Sequence, residues 1–163
     1  GGSMRYYITK DKTTKISRNL VSYLDFEKKN GIFETEIYSI FRKNCEISKN
    51  SLLDTLTALA EKNNKIVSYG ATSKSTTIFN YCNIGTDLIS FITDTTSTKI
   101  NKYSPGVHIP IYDYEYFLNN LPNYCFLGAW NHRKEISIKE KEIFSKKGKW
   151  IIHTPEAKII NDL

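Results

Sequence analysis

The chain has 163 residues, of which 40% are apolar and 25% are charged, as is typical of a globular protein with a real core. It carries a net charge of +6, but the positive residues are scattered and form no basic stripe interleaved with aromatic residues, which argues against a nucleic-acid partner. No apolar run reaches membrane-spanning length, which argues against a membrane partner. We therefore expect a cytoplasmic protein.

The three cysteines are odd in number and widely spaced, at Cys45, Cys82 and Cys125. This spacing argues against a disulfide framework and against a zinc site. Each cysteine stands among apolar residues, so we expect buried free thiols and no metal in this chain.

The first 64 residues are interpreted as an N-terminal strand followed by a helical connector. Residues 4–9 have the pattern of a strand, and helices are predicted at 13–30, at 35–44 and from about 48 to 62. A lone strand needs a partner in another sheet, so we expect this segment to be the tail of a preceding domain. Residues 1–3 are either the native start of that strand or a cloning scar, and both alternatives are open.

From residue 65 onward, short apolar runs alternate with helical patterns. Such alternation predicts an α/β fold for residues 65–163: a Rossmann-like, doubly wound parallel sheet of about four or five strands. The expected elements are strands at 66–69, 88–93, 124–129, 149–153 and 157–160, helices at 75–82, 113–120 and 133–147, and a loop at 94–112.

The segment that follows the first of these strands carries the strongest functional signal. Gly70 ends the strand, and a loop of small hydroxylated residues around Lys74 leads into a helix. Such a helix start offers backbone N–H groups and partial positive charge to an anion, and the lysine adds a full charge, so a phosphate-bearing ligand is expected. The loop matches neither the P-loop nor the dinucleotide fingerprint, because the required glycines are missing. A plain turn with a solvated lysine is the alternative.

Three predicted strands end in residues that suit ligand binding. Gly70, Asp94 and the pair Trp130-Asn131 all follow carboxyl ends of strands, where ligands of such sheets bind. Asp94 could accept hydrogen bonds from a ribose or could cap the next turn. Trp130-Asn131 could contact a base or sugar, or Trp130 could pack between domains.

Two further residues are weighed with this rim. Lys99 is expected to reach it. His108 lies in a segment braced by two prolines; its imidazole could exchange protons, but a structural role is the favoured interpretation.

Several separated motifs follow one another from residue 69: Tyr69-Gly70-Ala71, Lys74, Asn80-Tyr81-Cys82, Asp94, Lys99, Pro105-Gly106, His108-Ile109-Pro110-Ile111, Trp130-Asn131 and Glu135-Ile136. In this order they resemble the C-terminal domain of the S-adenosylmethionine-dependent sugar C-methyltransferases. The resemblance covers residues 65–160, and residues 1–7 resemble the last strand of that family's methyl-transfer domain. The chain departs from the family pattern at Ser75, where the family has glycine, and at Thr96-Ser97, where it has Asn-Pro.

The resemblance implies a domain that binds a nucleotide-linked sugar and positions it for a methyltransferase core in cis. It implies no catalytic residue and no cofactor in this chain, since S-adenosylmethionine, zinc and the family's proton-transfer residues belong to the other domains. The candidate substrate-binding residues are Gly70, Ala71, Thr72, Ser73, Lys74, Ser75, Thr76, Asp94, Lys99, His108, Trp130 and Asn131.

Two other functions stay open. One is a free-standing NAD(P)- or nucleotide-binding domain of the oxidoreductase type, which the position of Asp94 favours and the missing glycines oppose. The other is a structural domain that docks to the methyltransferase and binds no ligand.

Overall fold

The computed structural model describes residues 4–161, with the side chains of 142–147 excluded. The chain divides into two compact units, with the boundary after Cys45. The sequence had placed this boundary after residue 64. Helix α2 (Thr35–Ala60) explains the difference, because its second half belongs to the core of the second unit through the buried side chains of Leu52, Leu56 and Leu59.

The first unit holds helix α1 (Arg18–Lys29) and the first part of α2. Ser17 caps α1 by accepting a hydrogen bond from the Leu20 amide, so the helix begins five residues later than predicted. Residues 4–9 pair with no strand among the described residues. The sequence predicts that they pair with a sheet outside this sequence, so their strand character stays a prediction. Residues 1–3 lie outside the described residues. That α1 and α2 connect to a preceding domain stays a prediction.

The two helices predicted at 35–44 and 48–62 are one continuous helix, α2. Two polar residues near the predicted break make tertiary contacts: Ser48 bonds to His153, and Glu46 accepts a hydrogen bond from Tyr81. Their side chains are therefore satisfied without interrupting the helix.

The second unit is an α/β sheet with helices on both faces. Its strands are β1 (Ile66–Tyr69), β2 (Ile92–Thr93), β3 (Lys102–Tyr103), β4 (Pro110–Tyr112), β5 (Tyr124–Leu127), β6 (Lys149–Ile152) and β7 (Lys158–Ile160), and its further helices are α3 (Ser73–Cys82), α4 (Tyr114–Asn119) and α5 (Arg133–Lys147). The strand order is β3-β4-β2-β1-β5-β6-β7. The five central strands are parallel, and the edge strands β3 and β7 are antiparallel to their neighbours.

The α/β class and its parallel centre are confirmed, with three corrections. The sheet has seven strands rather than four or five. The loop expected at 94–112 contains β3 and β4, and the strand expected at 88–93 is reduced to Ile92–Thr93. Strands of two or three residues are too short to show a periodic pattern, which is why the sequence did not reveal them.

Two apolar clusters cover the two faces of the sheet. One contains the leucines of α2 with Phe79 of α3 and Phe126 of β5. The other contains Phe117 of α4, with Val67 of β1 and further residues of α5 and β6. Neighbouring residues of β1 alternate between these clusters, as expected for a strand that is buried on both sides. Cys82 and Cys125 are buried free thiols, as predicted, whereas Cys45 is only half-buried.

The path of the chain creates a crevice above β1 and β5. From β1 the chain moves outward through β2 and β4, and then returns to place β5 on the other side of β1. Where the order of strands reverses in this way, the connections after neighbouring strands diverge and leave space for a ligand at the carboxyl ends.

Candidate functional site

The carboxyl ends of β2, β1 and β5 lie side by side, as the sequence predicted. Beyond the strands, the Gly70 amide donates to the Thr93 carbonyl at 2.8 Å, and the Ala129 amide donates to the Tyr69 carbonyl at 3.1 Å. Gly70 has a φ of +95°, and a Cβ on it would lie 2.7 Å from the Ala129 Cβ. Glycine therefore permits both the turn and the close approach of the two chain segments.

Helix α3 starts with a capping box that uses two hydroxyls of the loop. The Ser75 amide donates to Thr72 Oγ1 at 3.1 Å, and the Thr72 amide donates to Ser75 Oγ at 3.0 Å. Thr72 Oγ1 also donates to the Gly128 carbonyl at 2.8 Å, which ties the loop to the end of β5. Ser75 is completely buried, so its hydroxyl stabilises the fold. It is not available to donate to a ligand, which was its predicted role.

Asp94 braces the same loop. Its Oδ2 accepts from the Ala71 amide and its Oδ1 from the Thr96 amide, each at 2.8 Å. Burial alone would raise the pKa of Asp94, but hydrogen bonds from Thr96 and Ala71 and the Lys99 ammonium outweigh it and lower the pKa. Of the two roles considered for Asp94, these contacts support the structural one over ribose binding.

Lys99 is fixed beside the loop and Lys74 is not. Lys99 Nζ donates to the Ala71 carbonyl at 2.8 Å and lies 3.5 Å from Asp94 Oδ2. The Lys74 side chain is exposed and forms no ion pair with another described residue. The amides of Ser73 and Lys74, in the first turn of α3, have no hydrogen-bond acceptor within residues 4–161. These amides lie at the exposed N-terminus of α3, where an anion would be stabilised.

Two cavities flank the loop and share Thr72 as a wall. The first, which we call the tyrosine cavity, has a volume of about 370 Å³. It is lined by Tyr69, Gly70, Thr72, Thr93, Asp94, Thr95, Thr96, Tyr114, Ala129, His132, Glu135, Ile136 and Lys139. The second, the lysine cavity, has a volume of about 280 Å³. It is lined by Ala71, Thr72, Ser73, Thr76, Thr98, Lys99, Lys102, Tyr103, Ser104, Pro105 and Ile111.

The cavities differ in charge. The lysine cavity has two lysines and, among its described lining residues, no acid. The tyrosine cavity combines Asp94 and Glu135 with a single lysine, Lys139. A phosphate group therefore suits the lysine cavity, and a neutral polar group suits the tyrosine cavity.

The wall of the tyrosine cavity holds a polar cluster that sequence reasoning missed. Glu140, only 1% exposed, accepts hydrogen bonds from Tyr69 OH at 2.7 Å and from Tyr114 OH at 2.9 Å. Lys139 Nζ donates to Tyr69 OH at 3.2 Å and lies 3.6 Å from the centre of the Tyr114 ring. Glu140 follows Ile136 by four residues, so a carboxylate on the buried side of α5 was the available signal.

Burial and Glu140 stabilise the neutral form of both phenols. Burial and the hydrogen bond to Glu140 raise the pKa of Tyr114 to about 12, and the same causes raise the pKa of Tyr69 further. Neither phenol is suited to act as a general base near neutral pH. The geometry therefore favours binding over proton transfer at this wall.

The other predicted residues divide between the cavities and the surrounding surface. Ala71, Ser73, Thr76 and Lys99 line the lysine cavity. Gly70 and Asp94 line the tyrosine cavity, and Thr72 lines both.

Lys74, His108, Trp130 and Asn131 line neither cavity. His108 is exposed and has a φ of +54°, so it is not the buried structural residue that was favoured. Trp130 is half-buried against the apolar cluster around Phe117, and Asn131 is exposed.

Two further findings concern metal ligands and membrane-spanning helices among the described residues. No group of three His, Cys, Asp or Glu side chains in them could hold a metal ion. No helix within residues 4–161 has both the length and the apolar content that crossing a bilayer requires.

The comparisons with known proteins agree with one another. Residues 1–155 match the family model described as the C-methyltransferase C-terminal domain. A relative, the C-methyltransferase NovU of Streptomyces niveus, is 31% identical over 135 residues, which cover 83% of the chain. The chain spans 32% of that relative's length.

Proposed function

Because the chain belongs to the family of C-methyltransferase C-terminal domains, we propose that it binds a nucleotide-linked sugar and positions it for methylation. In this proposal the methylated substrate is a deoxysugar, and S-adenosylmethionine and zinc are bound by a methyltransferase core in cis, outside this sequence. The chain would then contribute to the rate by fixing geometry, since holding a substrate in place converts an encounter into a reaction within one complex.

The lysine cavity is the observation that carries this proposal. Lys99 is held beside the α3 loop by the Ala71 carbonyl, and Lys102 lines the same space. The Ser73 side chain and the unbonded first-turn amide lie at this wall, next to a helix N-terminus. The Lys102 ammonium, one hydroxyl and one unbonded amide are donors of the kind that a diphosphate requires, and the Lys99 ammonium, which also pairs with Asp94, lies beside them.

The remaining wall suits the rest of a nucleotide. Tyr103 lines the lysine cavity and is 65% exposed, so its ring is available for a base to stack on. Across Thr72 lies the tyrosine cavity, and a ligand bound at the loop can extend into it. The site thus offers room for base, diphosphate and sugar at the crevice expected for this fold.

The NAD(P) alternative is less well supported. In dinucleotide-binding folds the acid after the second strand accepts from the ribose hydroxyls. Here each carboxylate oxygen of Asp94 already accepts a backbone hydrogen bond, from Ala71 and from Thr96. The acid is therefore engaged in bracing the loop.

Calorimetry on the full chain with UDP and UDP-glucose tests the proposal. We expect weak binding that declines as salt is added, since the contacts to phosphate are ionic. Lys102→Ala should weaken binding by about tenfold, the usual cost of one hydrogen bond to a charged group. Lys74→Ala should have a smaller effect, because Lys74 lines neither cavity.

Lys62→Ala is the matched control, since it removes the same charge at an exposed position after α2. Equal losses in Lys62→Ala and Lys102→Ala would reduce the effect to net charge and reject the site. No binding at millimolar nucleotide would favour the structural docking domain. Saturable enhancement of NADH fluorescence at micromolar levels would favour the oxidoreductase-type alternative.

A further inference from the structure

Asn80 of α3 connects the two walls of the lysine cavity, although its own side chain does not line that cavity. One wall is the start of α3, which contributes Ser73 and Thr76, and the opposite wall is the turn after β3, which contributes Ser104 and Pro105. Asn80 Nδ2 donates to the Thr76 carbonyl at 2.8 Å and to the Pro105 carbonyl at 2.9 Å. A single side-chain amide therefore holds one backbone atom from each wall.

Gly106 allows the turn to approach α3 this closely. Its φ is +85°, and a Cβ on Gly106 would overlap Asn80 Oδ1 and lie 2.6 Å from Asn80 Cγ. Any other residue at this position would displace the Asn80 amide and strain the backbone. The contact between Asn80 and the turn therefore depends on a glycine.

The base of the turn is anchored separately from its tip. Val107 packs against the apolar cluster that contains Phe79, and the Ile109 amide donates to Ser104 Oγ at 3.0 Å. These contacts fix the end of the turn that joins β4. The hydrogen bond from Asn80 reaches the other part, at Pro105, which follows the cavity-lining residues of β3.

The Asn80 side chain is exposed, so its hydrogen bonds lie at the protein surface. Water can replace hydrogen bonds at such a position, and the loss of the amide should leave the fold intact. The tip of the turn would then be free to move relative to the start of α3. Ordering that segment would become a cost of ligand binding, which lowers affinity.

From these contacts we infer that Asn80 is a positioning residue of the lysine cavity. It sets the distance between α3 and the turn after β3, and it thereby sets the affinity for a ligand that contacts both walls. The inference rests on the proposed function, in which a diphosphate contacts Ser73 on one wall and Lys102 on the other. The site thus includes a determinant of affinity that does not touch the ligand.

Asn80→Ala in the full ¹⁵N-labelled chain tests this by two measurements. Without ligand, nuclear magnetic resonance relaxation should show larger motions of the Ser104 and Gly106 amides, because the tip has lost its contact with α3. In calorimetry UDP should bind about fivefold more weakly, as expected for the loss of one neutral hydrogen bond. With saturating UDP, the amide shifts of the turn should return to those of the UDP-bound original chain, because the ligand then connects the two walls.

Thr77→Ala is the matched control. Thr77 is also exposed on α3 and lines neither cavity, and its Oγ1 donates to the Ser73 carbonyl at 2.9 Å. Both variants thus lose a hydrogen bond to the carbonyl four residues earlier in the same helix, whereas Asn80→Ala also loses the one to the turn. Thr77→Ala should leave the motion of the turn and the affinity for UDP unchanged.

Equal UDP affinities for Asn80→Ala and Thr77→Ala, or unchanged relaxation of the turn in Asn80→Ala, would overturn the inference. A weaker affinity that is accompanied by a lower urea midpoint would overturn it as well, since the effect would then be general destabilisation. If the original chain fails to bind UDP, the proposed function is rejected. The relaxation of the turn in the free chain then still decides whether Asn80 holds the two walls together.

Discussion

Ser75 illustrates how a residue chosen for its chemistry can serve the fold instead. A serine at the start of a helix can donate to phosphate or cap the helix, and both roles need the same hydroxyl. In this chain the hydroxyl is fully buried and bonded to the Thr72 amide at 3.0 Å. Burial depends on the packing of β5 against the loop, through Gly128, and the local sequence does not contain that information.

Replacing Ser75 should therefore affect stability more than binding. Ser75→Ala leaves the Thr72 amide without its acceptor and should lower the free energy of unfolding by about 1–2 kcal/mol. Ser73→Ala, at an exposed position two residues earlier in the same turn, should change the free energy of unfolding by less than about 0.5 kcal/mol. Urea denaturation of both variants measures the difference. Equal midpoints would show that the buried capping box contributes nothing specific.

At the level of elements, α2 is joined to the residue after β6 by a partly buried polar contact. Ser48 Oγ lies 2.8 Å from His153 Nε2, and the Nδ1 atom of the same ring is buried without a partner among the described residues. Burial lowers the pKa of His153, and the hydrogen bond between His153 and Ser48 only partly opposes this. The folded chain therefore favours the neutral ring.

This contact predicts a stability that depends on pH. The unfolded histidine has a pKa near its ordinary value of 6.5, and the folded one has a lower pKa. The contribution is complete above pH 6.5 and is lost as the pH falls toward the folded pKa, because the unfolded chain then binds the proton more readily. Denaturation at pH 7.5 and 5.5 should show a loss that His153→Gln abolishes.

His132→Gln is the control, since His132 is exposed and its one ion-pair partner among the described residues is Glu135. It should retain the pH dependence of the original chain. A variant lacking His153 that still loses the same stability between pH 7.5 and 5.5 would contradict the assignment.

The sequence predicted an element correctly where that element is a long helix or a strand whose two faces are both buried. β1, β5, β6 and α5 were placed within about two residues of their observed ends, because each combines an apolar run with clear flanking signals. β3 and β4 were missed because each has two or three residues and is defined by its partner. The break expected in α2 is absent, because polar side chains near that point bond to residues elsewhere in the second unit.

For the whole molecule, the convergence of strand ends was predictable and the contents of the site were not. Parallel strands place their carboxyl ends on one edge, so Gly70 and Asp94 were correctly expected to meet. The cluster around Glu140 joins residues 69, 114, 139 and 140, which no local pattern connects. The lysine cavity, where we propose the phosphate site, contains Lys99 and Lys102 rather than Lys74, and it depends on β3 lying beside the α3 loop.

In the proposed function, one ligand lies along the α3 loop with its diphosphate in the lysine cavity, and it can extend past Thr72 into the tyrosine cavity. A crystal structure of the full chain with UDP-glucose tests this most directly. We expect diphosphate density within hydrogen-bond distance of Lys102 and the Ser73 amide. Density for the nucleotide at any other surface, with the lysine cavity holding only water, would contradict it.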